Sequence, residues 1–116
     1  MLTAHHVNAF LVLAVCVVAG ATALWARRRG RVGGGIAQLL ALAQTLIVAQ
    51  VALGLLLLSD DHEASDRLHY AYGTFSLLAV LSPWLYAPTE QRARLLWFAG
   101  ATLVAGALGV RAYMTA

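Results

Sequence analysis

Apolar residues fill this chain in four long blocks, and the charged residues gather between the blocks. A helix needs about 20 apolar residues to cross roughly 30 Å of hydrocarbon. The blocks predict four such helices, over residues about 4–26, 36–58, 66–86 and 95–114. Gln38, Gln44 and Gln50 fall on different faces of the second helix at about 100° per residue, so they make no single polar stripe. Each is placed to bond a neighbouring helix or, near an end, headgroups.

The block ends carry recognisable signals. Thr3 suits a cap for the first helix, with His5 and His6 just inside it. Trp25 closes that helix and is followed by Arg27, Arg28, Arg29 and Arg31, then Gly33-Gly34-Gly35, a basic turn. Asp66 suits the start of the third helix, where negative charge complements the helix dipole. Pro83 predicts a kink or an end near that helix's far side. Ala101, Ala105 and Gly109 recur every four residues in the fourth helix, a small-residue face for close contact. A short repeat pairs Thr3-x-x-His6 with Asp66-x-x-His69, and Ala52-Leu53-Gly54 with Ala107-Leu108-Gly109. Two equivalent hairpins imply an all-α integral membrane protein, an antiparallel four-helix transmembrane bundle.

Composition turns this pattern into a location. Of 116 residues, 61% are hydrophobic and 11% charged, and the mean hydropathy is +0.76. A soluble domain of this size needs a far more charged surface, so residues 1–116 read as one membrane domain embedded in the lipid bilayer. The net charge of +3 comes from eight arginines. Four of them directly follow an apolar helix, which makes them a topology signal rather than a nucleic-acid footprint. By the positive-inside rule both arginine turns are cytoplasmic, and both termini lie outside the cell membrane. Asp60, Asp61, Glu63 and Asp66 fall in the outer connection, in agreement. Trp25, Trp84 and Trp97 form an aromatic belt at the inner interface. Nothing basic precedes the first block and no small-residue cleavage pattern follows it, so the first helix is expected to stay in the mature protein. The single cysteine, Cys16, has no partner for an internal disulfide. The chain shows no phosphate-binding glycine loop, nucleophile elbow or CxxC, and no charge at mid-membrane of the kind a proton-coupled transporter uses.

The candidate chemistry lies at the outer end, where all four histidines fall: His5, His6, His62 and His69. His6 and His69 open the odd-numbered helices at similar depth, and paired imidazoles on facing helices are a usual way for a bundle to hold haem iron. One residue of register exchanges the roles of His5 and His6. Gly73, one turn beyond His69, leaves space beside the imidazole for a planar ring or for close helix packing. Arg67 and Arg111 lie on the side where topology gives no reason for arginine; they suit anionic haem propionates, or the acids of the outer connection. A zinc or copper site from Asp61, His62, Asp66 and His69 is a further alternative, without a recognised spacing.

A histidine near the outer end of one helix, then QVALGLLLL closing the next, then His69 opening a third, resembles one half of the haem A synthase family over residues 6–79. The resemblance implies a four-helix bundle in which His6 and His69 ligate haem, with Gln50 and Gly54 on the intervening helix. This chain has one half where the family has two, and Leu2, Thr3, Ala4 and His5 stand where the family has an acidic residue. Bundle and ligands therefore carry over better than enzyme activity. The expected function is binding of b-type haem (haem b) for electron transfer or haem handling. The alternative is a cofactor-free accessory subunit of a larger membrane complex, and a homodimer is a further partner this size allows.

Overall fold

The computed structural model describes residues 2–30, 34–59 and 67–115. They form α1 (Leu2–Arg28), α2 (Gly34–Ser59), α3 (Leu68–Leu81), α4 (Pro83–Tyr86) and α5 (Gln91–Met114), with no strand among the described residues. α1, α2 and α5 are apolar helices of 27, 26 and 24 residues, each long enough to cross a membrane. α3 has 14 residues and is too short alone; the third expected span, 66–86, is divided between α3 and α4. Three of the four expected spans are thus single long helices, and the remaining one is divided.

The division has a local cause. Pro83 lacks the N–H that a continuous helix would donate to the Ala79 carbonyl four residues back. Ser82 supplies that carbonyl instead, with its hydroxyl at 2.8 Å and its N–H at 3.3 Å. Ser82 keeps helical angles (φ −57, ψ −34), so the chain passes through the break without turning back. α4 then ends at Ala87, whose ψ of 138 is extended, as the residue before Pro88 must be.

Other ends differ from the sequence reading. α1 begins at Leu2, so Thr3 is helical and does not cap. It stops at Gly30, whose φ of 69 is a left-handed value glycine adopts without strain. Gly34 and Gly35 already belong to α2, while Asp66 and the rest of the acidic connection lie outside the described residues. α5 starts four residues before the expected 95, because the Glu90 carboxylate accepts from the N–H groups of Arg92 at 2.9 Å and Ala93 at 2.8 Å. Those bonds, chiefly, with Arg27 and Arg92 nearby, hold the Glu90 carboxyl below its ordinary range.

The packing turns on one seam. Cys16, Ala19, Gly20 and Ala23 of α1 and Ala99, Thr102, Ala105 and Gly106 of α5 are buried. A Cβ on Gly106 would stand 3.0 Å from the Cys16 Cβ, and one on Gly20 would overlap the Leu103 side chain. The expected face of Ala101, Ala105 and Gly109 is therefore rotated in part. Ala105 is buried, and Gly109 faces Leu13, which a Cβ there would meet at 3.5 Å, but Ala101 turns toward a groove between α3 and α5. Leu40, Ala43 and Ile47 of α2 complete the core with Val12 and Val80. Few of the buried side chains are large, as expected where helices associate by close approach rather than by a water-driven hydrophobic effect.

Polar ties cross the apolar interior. The Ser76 hydroxyl donates to the Ala105 carbonyl at 2.8 Å. Trp84 donates its ring N–H to Gln44 at 3.0 Å and meets Phe98 edge-on at 5.1 Å, so it fastens α4 to α2 and α5. Gln38, by contrast, is exposed.

The seam predicts an asymmetry between two glycines of α5. Gly106→Val should destabilise the folded protein by about 1–3 kcal/mol through overpacking against Cys16. Gly100→Ala, where a Cβ meets nothing within 4 Å, should cost nothing. Thermal unfolding of both variants in one detergent checks the pair, and equal losses would remove the seam from the account.

Candidate functional site

The residues of interest meet where the first turns of α1 and α3 lie beside the last turns of α2 and α5. Counting inward along α1 explains which histidine faces them. Seven residues are two helical turns less about 20°, so Ala26, Ala19, Val12 and His5 share a face, and the first three are buried. His5 is half-buried; His6, about 100° further round, is exposed. The expectation that His6 faces inward and His5 points elsewhere is therefore corrected: the seam with α5 fixes the rotation of α1 and turns His5 inward.

Gln50 and Gly54 both serve His5. A Cβ on Gly54 would stand 3.3 Å from the His5 Cε1, so the glycine makes room for the imidazole itself. Gln50 stands 3.5 Å from the His5 Nε2 through its side-chain nitrogen. Its carbonyl oxygen accepts from Asn8 Nδ2 at 3.0 Å, and the same Asn8 nitrogen donates to the Leu46 carbonyl at 3.0 Å. This chain of bonds fixes the proton positions. Asn8 donates to Gln50, so the Gln50 amide N–H donates to His5 Nε2, and the neutral ring carries its proton on Nδ1. That Nδ1 is buried and has no hydrogen-bond partner among the described residues.

His69 has the complementary arrangement. Its Nδ1 lies 2.6 Å from the Ala112 carbonyl of α5. A carbonyl only accepts, so Nδ1 donates, and Nε2 of the neutral ring keeps its lone pair. A histidine held in this way is oriented by the helix whose carbonyl accepts its N–H. The His5 and His69 ring centroids are 6.3 Å apart with planes at 75°; His6 approaches His5 at 6.5 Å. Gly73, one turn past His69, has open space where a Cβ would be.

The two arginines stand differently. Arg111 is exposed, 5.5 Å over the Tyr72 ring with Nη2 3.5 Å from the Tyr72 hydroxyl, so Tyr72 steers it along the α3 side. Arg67 is exposed at the residue preceding α3, with no capping bond from its side chain. Of the alternative zinc or copper set, only His69 lies among the described residues, and these contain no group of three or more His, Cys, Asp or Glu arranged to hold a metal.

The pair can be tested against an iron that brings its own equatorial ligands. Two imidazoles that held one metal ion through bonds of about 2 Å would stand with their ring centroids about 6 Å apart. The His5 and His69 rings stand 6.3 Å apart, near that separation. His5 and His69 are the residues that would hold such an iron.

Comparison with known proteins adds no assignment: no family model, curated protein or solved structure matches the chain.

Sequence reasoning missed Asn8, Tyr72 and Ala112. Asn8 had a signal, being polar and one turn from His5 on the same face, and polar side chains in apolar helices tend to bond across helices. Ala112 had none, because its contribution is a backbone carbonyl. Replacing Asn8 and Gln50 by leucine, singly and together, should give a coupling of about 0.6–1.7 kcal/mol, the range of such bonds in membrane interiors. Additive losses in thermal unfolding would mean that the two amides do not act as one unit.

Proposed function

We propose that this protein is a four-helix membrane protein, with antiparallel helices and both termini outside, that binds one b-type haem between His5 and His69. The observation that carries the reading is the approach of these two imidazoles, from helices far apart in sequence, at a separation suited to one intervening iron. Two protein donors are enough for iron already held by a macrocycle, whereas zinc in a structural site takes four ligands. The Ala112 bond leaves His69 Nε2 free to coordinate, and the bond from Gln50 to His5, at the 3.5 Å limit, is one a metal readily replaces. Gly73 would lie against the ring, with Arg67 and Arg111 near the propionates. When bound, haem supplies one-electron redox chemistry, so electron transfer or haem handling follows.

A second reading, a cofactor-free accessory subunit, draws on the groove of about 400 Å³ between α3 and α5, lined by Ala79, Leu96, Trp97, Gly100 and Val104. It is a lipid-depth surface able to receive another helix.

An absorption spectrum separates the two. The haem reading expects a Soret band in protein purified from haem-replete cells, lost in His5→Ala and in His69→Ala and retained in His6→Ala. Colourless wild-type protein, or an unaltered band in His69→Ala, would sink it. The orientation has its own check: cysteine at Ser59 should react with an impermeant thiol reagent in intact cells, and cysteine at Gly30 should not.

A further inference from the structure

The end opposite the histidines carries a concentration of positive charge that the haem reading leaves unused. Among the described residues, Arg27, Arg28, Arg29, Arg92 and Arg94 gather there, against the single acid Glu90. These arginines are not equivalent. Arg29 lies over the Trp25 ring at 5.6 Å, and Arg94 over Trp84 and Phe98 at 5.6 and 5.1 Å. Arg27 and Arg92 instead line a cavity of about 250 Å³ between α1 and α5, with Gly30, Glu90, Gln91 and Leu95.

The cavity's chemistry suits an anion. Arg27 donates its Nε to the Arg92 carbonyl at 3.1 Å, which fixes its stem. Its two terminal nitrogens make no other hydrogen bond among the described residues, so the flat fork remains for a bidentate acceptor. Glu90 sits in the wall and offsets one positive charge, but both of its oxygens accept backbone N–H groups of α5, and neither forms a direct bond to the guanidinium of Arg27 or Arg92 among the described residues.

Depth then selects the source of the anion. Trp25, Trp84 and Trp97 lie at this end and are 51%, 60% and 44% exposed, as amphipathic rings at a membrane–water boundary should be. Arg27 follows Trp25 by two residues and Arg92 precedes Trp97 by five, so the cavity stands at or just beyond headgroup level. We propose that the cavity between Arg27 and Arg92 binds the phosphodiester of an anionic phospholipid, pinning α1 to α5 at the bilayer surface. This inference rests on the membrane-spanning helices and is independent of haem.

Native mass spectrometry of the full chain in detergent tests it, titrating phosphatidylglycerol, phosphatidylcholine or glycerol phosphate. One phosphatidylglycerol should bind more tightly than phosphatidylcholine. Arg92→Gln should weaken it about fivefold, the effect of one arginine near an anionic surface. Arg92→Gln is the cleaner variant because the carbonyl that holds Arg27 is unchanged; Arg27→Gln should weaken binding at least as much. Arg28→Gln, equal in charge but outside the cavity, should leave the affinity as it was. Equal binding of the two lipids overturns the proposal, as does an Arg28→Gln loss matching that of Arg92→Gln, which would make the attraction diffuse. Binding of glycerol phosphate as tight as that of phosphatidylglycerol overturns the lipid as source. Retention of a Soret band by Arg92→Gln would keep this result separate from the haem reading.

Discussion

The close approach of α1 and α5 is the constraint on which the rest of the structure depends. Cys16 and Gly106 leave no room for one more methyl group between the two backbones. Within an apolar solvent the association of helices gains little from burying apolar surface as such and depends on contact and on satisfied polar groups. Small residues permit the contact. Once α1 is set against α5 in this rotation, His5, Asn8 and Val12 have no freedom over which neighbour they face, and the candidate site follows from packing some 15 Å further along the helix.

The polar groups inside are few, and they act in chains. Asn8, Gln50 and His5 bond in sequence, so the tautomer of one ring is set by an amide two residues removed in the chain of bonds. His69 is set by a backbone carbonyl of α5. Two imidazoles are thereby oriented by different helices. The arginine end has the same character in another chemistry. Aromatic rings and the Arg92 carbonyl hold guanidinium groups in place, and the terminal nitrogens of Arg27 are left for a ligand.

Several features were legible in the residues because their causes are local. Apolar block length gave the long helices, Pro83 marked the division of the third block, and the arginines and tryptophans marked one end. The pairing of Gln50 with Gly54 was visible as a motif one turn long, although its meaning, a seat for His5, was not. Helix starts were less legible. Glu90 precedes a loop-like QRAR segment, and nothing in its spacing shows that both carboxylate oxygens cap α5.

The sequence by itself determined that this chain is helical and apolar enough for membrane crossing, since hydrophobicity sums along the chain without reference to partners. It also determined that histidines and most arginines occupy opposite ends. Only the tertiary structure decided that His5 rather than His6 faces His69, that Gly106 rather than Ala101 meets α1, and that Ala112 orients His69. The reason is rotational. A helix that is apolar on every side carries no stripe to announce its inner face, so its rotation is set by contacts with other helices, and a change of one residue moves a side chain by about 100°.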